Sequence, residues 1–175
     1  SGGADDDQLF GEMGADALHG GTGKDKLYGG LEDPDDQVDA SNDQLDGGAD
    51  DDEIYGGAGR DVLLGGEGKD LLRGGKGVGD YMVGGAGEDS YVYFTDDGAD
   101  LIFDEDGKGD IKFNDQTLTG GANKAEGALT WYEGDPCDAD FTYSANGNPN
   151  EGPVTLTITS KAGGQLIVFG FDQGE

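Results

Sequence analysis

The sequence predicts an all-β chain whose first half is an array of repeated turns and short strands. Three observations carry this reading. A nine-residue phrase recurs as GGTGKDKLY at residues 20–28, GGAGRDVLL at 56–64 and GGEGKDLLR at 65–73. Its aliphatic eighth residue is usually flanked by polar or charged neighbours, the alternation of a strand with one buried face. Beyond Tyr91 the glycine pairs thin out, and runs rich in β-branched and aromatic residues take over.

The array is read in nines from Gly2. Position 6 is aspartate at Asp7, Asp16 and Asp25, and position 8 is apolar at Leu9, Leu18 and Leu27. Residues 29–46 span two periods but hold Pro34 and Asp36 where an aspartate and an aliphatic are needed. They read as one repeat with nine residues inserted into its turn, restored at Asp43 and Leu45. The phrase resumes with Asp52 and Ile54, Asp61 and Leu63, then Asp70 and Leu72. One extra residue shifts the next repeat to Asp80 and Met82, and the last clear repeat gives Asp89 and Tyr91. The chain thus divides near residue 92 into a repeat array, 1–92, and a β-rich C-terminal part, 93–175. In the latter, residues 95–102 read as a degenerate last turn carrying Asp100. Strand-like runs fall at 91–94, 100–103, 110–113, 129–132, 141–144, 154–159 and 165–171, with turn clusters such as Asp104-Glu105-Asp106-Gly107 between them.

Composition sets the bounds. Of 175 residues only 33% are hydrophobic and 37 are glycine, which leaves little for a large conventional core. Asp and Glu number 39 against 10 Lys and Arg, a net charge of −29, so the bare chain repels itself and by composition alone should be disordered. That sign argues against nucleic acid and anionic lipid as partners; multivalent cations are the natural counterpart. No apolar run of about 18 residues is present to span a membrane. Cys137 is the only cysteine, so no internal disulfide forms, and it reads as a free or partly buried thiol. The chain starts at Ser1 with neither Met nor a hydrophobic leader, as a fragment excised from a longer protein would.

The repeat has the chemistry of a cation site. Glycines at positions 1, 2 and 4 permit backbone conformations closed to other residues, so carbonyl oxygens can converge, and the aspartate at 6 adds a carboxylate. Calcium takes six to eight hard oxygens at about 2.3–2.6 Å, more than one such turn supplies, so two turns must stack around it. A glycine-rich flexible linker has no reason to keep aspartate at 6 and an aliphatic at 8 in register.

With those residues at those positions, the phrase resembles the RTX (repeats-in-toxin) calcium-binding nonapeptide repeat, over nearly half of the chain. The resemblance implies a right-handed parallel β-roll, a β-solenoid. In it successive strands lie on opposite walls, two repeats make one coil, and calcium is shared between turns n and n+2. One rim would carry Asp7, Asp25, Asp52, Asp70 and Asp89, the other Asp16, Asp43, Asp61, Asp80 and Asp100, with about eight ions in all. Carbonyl ligands are expected from the glycines at positions 2 and 4, namely Gly21, Gly23, Gly57, Gly59, Gly66, Gly68, Gly75, Gly77, Gly85 and Gly87. Several positions depart from the pattern. Glu12 replaces a second glycine, Asp5 and Asp50 replace a fourth, and the long turn between Gly30 and Asp43 is expected not to stack. Sites involving Asp7, Asp16 and Asp43 are therefore expected to be poorer than those among Asp52, Asp61, Asp70, Asp80 and Asp89. Within the insertion, Asp33, Asp35, Asp36 and Asp39 offer either a separate ion site or a merely solvated acidic loop. An EF-hand is ruled out there, because Val38 stands where that loop needs glycine.

The resemblance also implies export by a bacterial type I system, with an uncleaved C-terminal signal and an extracellular or cell-surface destination. Residues 106–121 look like the stretch that follows the repeats in such toxins and lipases, and 156–171 like their terminal strand pair. Their expected role is to cap the open end of the roll. At extracellular calcium near ~1 mM and dissociation constants near ~0.1 mM, each site would stabilise the fold by ~1.4 kcal/mol, a term that nearly vanishes in a cytosol. No catalytic constellation appears: His19 occupies the variable ninth position, and Trp131 and Tyr132 fit packing in a small β core better than stacking on sugars. The expected function is a monomeric, non-enzymatic calcium-binding module. It would fold outside the cell and support folding and secretion of a larger exported toxin, adhesin or hydrolase. The alternative is a surface- or glycan-binding adhesion module that engages its ligand through the acidic insertion or the Trp131 region.

Overall fold

Each repeat folds as its residues dictate: a tight glycine turn reverses the chain, and the residues after the aspartate extend into a strand. The computed structural model describes residues 1–31, 39–77, 79–94, 97–103 and 109–113, and beyond these the backbone of strands lying between 116 and 171. Strands β1 (Gly3–Ala4), β2 (Gln8–Phe10), β3 (Ala17–Thr22), β4 (Lys26–Tyr28), β5 (Gln44–Ala49) and β6 (Glu53–Gly59) alternate between two sheets. The alternation continues through β7 (Val62–Glu67), β8 (Leu71–Gly77), β9 (Tyr81–Ala86), β10 (Asp89–Tyr93), β11 (Ala99–Phe103) and β12 (Gly109–Phe113). Odd strands pair in parallel in one sheet and even strands in the other. No helix occurs among the described residues. The protein is a parallel β-roll, with two repeats to a coil.

Position 8 points inward throughout. In one sheet the register runs Leu18, Leu45, Leu63, Met82, Ile102, and in the other Leu9, Leu27, Ile54, Leu72, Tyr91, Ile111. From Leu27 to Ile102 these side chains are buried, and Leu9, Leu18 and Ile111 pack partly buried against them at the two ends. Among the described residues the core is one apolar row per wall, joined at its far end by Tyr93. At roughly 1.5–3 kcal/mol per buried side chain it is thin for a chain of this length, so the coils need further ties.

One expectation is corrected. The strands of the repeats, expected to be short, run six or seven residues in β3 and from β5 to β9, on through the next glycine pair. The glycines continue the parallel ladder, as in the pairing of Gly57 with Gly75 and Gly48 with Gly66. On either side of the inserted turn the ladder is kept, since Gly29 N–H donates to the Tyr55 carbonyl and Gln44 N–H to the Asp16 carbonyl, each at 2.9 Å; residues 32–38 of that turn lie outside the described residues. Asp33, Asp35, Asp36 and Val38 lie outside the described residues.

Residue 92 falls inside β10, and parallel stacking continues past it. β11 pairs on its far side with β18 (Gln165–Phe171), in parallel over five residue pairs from Ala99 with Gln165 to Phe103 with Phe169. β18 is followed outward by β17 (Val154–Ser160), β16 (Phe141–Asn146), β15 (Thr130–Tyr132) and β14 (Asn123–Lys124), all antiparallel. In the second sheet β12 is bordered by the antiparallel β13 (Gln116–Thr117). Cys137 lies outside the described residues, and Trp131 and Tyr132 are described only as backbone in β15.

Candidate metal centres along two rims

The turns between strands form two rims, and on each the position-6 aspartates stand one above another. A single contact repeats along both. The backbone N–H of each aspartate donates to Oδ1 of the aspartate in the next coil. On the first rim Asp7 reaches Asp25 at 2.7 Å, Asp25 reaches Asp52 at 2.8 Å, Asp52 reaches Asp70 at 2.9 Å and Asp70 reaches Asp89 at 3.0 Å. On the second, Asp16 reaches Asp43, Asp43 reaches Asp61 and Asp61 reaches Asp80, each at 2.8 Å, and Asp80 reaches Asp100 at 2.9 Å. The expected facing order is therefore the observed one, and the pairs with Asp7, Asp16 and Asp43 have the same contact as the later ones. Asp7 and Asp16 differ in being only half-buried.

The second oxygen of these carboxylates is where chemistry is wanted. Oδ2 of Asp16, Asp25, Asp52, Asp61, Asp70, Asp80 and Asp100 is buried and accepts no hydrogen bond. An unpaired buried charge is costly, so each position calls for a cation or a proton. Burial pushes Asp61, Asp70, Asp80 and Asp100 up to about 7 and Asp52 up to about 6, with the backbone N–H bonds opposing the rise and neighbouring aspartates, Asp97 first for Asp100, adding to it. Asp43 is raised for the same first reason.

The glycines make room for this arrangement. A Cβ at Gly56, position 1, would lie 2.7 Å from Asp61 Oδ2 and 2.5 Å from the Gly74 carbonyl oxygen, so both oxygens converge where a side chain would stand. The same holds at Gly20, Gly29, Gly47 and Gly65. At position 2, Gly66 has φ +116° and its Cα faces the Gly48 carbonyl too closely for any Cβ. Gly21, Gly23, Gly57, Gly59, Gly68, Gly75, Gly85 and Gly87 also have positive φ, whereas Gly77 does not. There the inserted residue displaces the bend, and Gly79 takes it at φ +86°. Asp5, Glu12 and Asp50 hold φ of 89°, 68° and 77°, so they keep the glycine's backbone at a cost in strain of order 1–3 kcal/mol each.

Among the described residues no three His, Cys, Asp or Glu side chains gather on one point. An aspartate Oδ2 with a glycine carbonyl of the next coil converging beside it is an all-oxygen donor pair, which suits a hard, high-coordinate cation such as calcium and not a thiol- or imidazole-seeking metal. Four copies of the RTX calcium-binding nonapeptide repeat are matched at residues 1–33, 37–72, 46–79 and 60–91. The chain belongs to the RTX calcium-binding repeat family. No curated protein matches it in sequence.

The ends of the RTX array show what the repeat pattern alone does not reveal. On the first rim the Cα partner of Asp89 is Gly109, where the earlier coils have aspartate, and the Tyr91 hydroxyl reaches back and accepts the Gly84 N–H at 3.0 Å. On the second rim Asp97, fully buried, accepts the Phe94 N–H at 2.7 Å. The Arg73 guanidinium lies 4.4 Å over the Phe94 ring, with Nε 4.0 Å from Asp97 Oδ2. The position-1 glycines are the other omission, and they had a signal: position 1 is glycine in every repeat from Gly2 to Gly84. Outside the ion line, Asp51 clamps three coils, taking the Lys24 ammonium at 2.6 Å and the Lys69 N–H at 3.0 Å. Asp39, from the insertion, accepts the Gly14 N–H at 2.6 Å and the Ser41 hydroxyl at 2.5 Å. His19 sits exposed, 3.1 Å from Asp46.

Proposed function

We propose that this RTX array is a calcium-triggered folding module that serves a larger exported protein and has no catalytic role of its own. The rim of buried Oδ2 atoms without hydrogen-bond partners carries the reading. Bound calcium supplies positive charge between facing carboxylates. From Asp25 and Asp43 onward each rim aspartate gives Oδ1 to the backbone of the preceding coil, and the remaining carboxylate oxygens, with glycine-turn carbonyls, would hold the ion. The assigned ligands are the ten rim aspartates and the glycines of positions 2 and 4, about eight ions in all, with position-1 carbonyls added from the geometry. Without cations the facing carboxylates repel across every coil, and one aliphatic row per wall is a weak counterweight.

Folding would therefore wait for millimolar calcium, which fits a protein that crosses a type I exporter unfolded and matures outside the cell. The strands from β13 to β18 would cap the roll, since β18 covers the edge of β11 that otherwise stays open. The test is circular dichroism at neutral pH with calcium and with chelator, together with ion counting. A chain already rich in β-structure in chelator would overturn the reading.

A further inference from the structure

Position 9 of β2, β4 and β6 is turned away from the core, and Phe10, Tyr28 and Tyr55 occupy it in strict Cα register. Their rings stack: centroids are 5.0 Å apart at each step, with planes tilted by 11° and 10°. Tyr28 precedes the inserted turn and Tyr55 follows it, so two phenols far apart in sequence lie face to face on the protein's half-buried outer wall. The Tyr55 hydroxyl donates to Glu53 Oε2 at 3.2 Å, which places a carboxylate to take the phenolic proton. Glu53 is itself held by the Lys26 ammonium at 2.7 Å.

We propose that Tyr28 and Tyr55 form an oxidative cross-linking site, at which an oxidant of the haem-peroxidase class joins them as an intramolecular dityrosine. Each phenol gives up one electron to the oxidant and its hydroxyl proton, that of Tyr55 passing to Glu53. The two radicals couple through ring carbons ortho to oxygen, and the ortho hydrogens then move to the oxygens as both rings regain aromaticity. The pair has lost two electrons and two protons, which one hydrogen peroxide accepts to become two waters. The new carbon–carbon bond ties β4 to β6 across the insertion, in a chain whose single cysteine offers no internal disulfide. Register and ring stacking carry this site, and the ion assignment does not enter.

The experiment uses the whole chain in calcium, its β-sheet dichroism recorded first so that a failure to fold is told apart from a failure to couple. It is treated with a haem peroxidase and limiting hydrogen peroxide, then digested and mapped by mass spectrometry. The expected product is a monomer with dityrosine fluorescence and one cross-linked peptide pair containing Tyr28 and Tyr55. Tyr28→Phe and Tyr55→Phe should each abolish it while keeping the fold, since Phe10 already shows that the column accepts phenylalanine. Glu53→Gln should slow the coupling without changing the dichroism. Cross-links formed only between chains, an intramolecular product that survives Tyr28→Phe, or no dityrosine in the folded protein would overturn the assignment.

Discussion

The N–H of Asp61 donates to Oδ1 of Asp80 at 2.8 Å, while Oδ2 of Asp80 stays buried with no hydrogen bond. One carboxylate thus has two duties, and Asp80→Asn separates them. The amide oxygen keeps the coil-to-coil bond but brings no charge. In calcium the variant should lose affinity at the two positions that share residue 80, about 1.4 kcal/mol each under extracellular conditions. In chelator the variant should gain β-sheet dichroism at a higher pH than the parent does, because a repulsive charge is gone. Titration calorimetry reads the first arm and dichroism against pH the second, and an unchanged calcium stoichiometry would count against the rim.

Acid should replace calcium. Burial raises Asp52 to about 6 and Asp61, Asp70, Asp80 and Asp100 to about 7 in the calcium-free fold, above the ~3.9 of an unfolded aspartate. The folded chain therefore binds more protons than the unfolded one in that window. Their stabilising contribution is complete below about 4 and is lost as pH rises through about 6 to 7. In chelator, β-sheet dichroism should grow on acidification from pH about 8 to about 5. In calcium the same acidification should weaken ion affinity, since protons compete for Oδ2.

Glycine positions should differ sharply in their tolerance of alanine. Gly65→Ala puts a methyl into Asp70 Oδ2 and the Gly84 carbonyl at once, and should cost about 3 kcal/mol or more and lower the calcium stoichiometry. Gly14→Ala meets nothing within 4 Å and strains only a φ of +108°, so about 1–2 kcal/mol is expected. Melts in saturating calcium compare the two, and equal losses would refute the steric account.

How far the sequence foretells this site depends on what repeats. The facing order of ten aspartates is legible because Asp and Leu keep their spacing across the inserted turn and across Val78. The grip of each carboxylate on the preceding backbone is not, since it depends on strand register at atomic distance. Glu12, Asp5 and Asp50 look like breaks in the glycine pattern, yet the backbone holds them in positive φ because neighbouring coils fix it. Gly109 at an aspartate's place and Arg73 beneath Phe94 lie where the period decays, so spacing carries no warning of them.

Arg73 is the internal cation of the array's far end. Arg73→Ala removes the guanidinium from the Phe94 ring and from buried Asp97, and should cost about 3 kcal/mol even in saturating calcium. Affinity on the first rim should be unchanged. Chemical denaturation in calcium measures the first effect, and site-resolved titration checks the second.

The aspartate contacts all run one way, each amide reaching forward in the chain and none back. The residue after each aspartate answers in the opposite sense, its N–H reaching back to the carbonyl of the aspartate one coil earlier, as Tyr81 does to Asp61 and Leu71 to Asp52. Neighbouring coils are therefore buttoned from both sides, and removing one coil should loosen the coil before it and the coil after it alike.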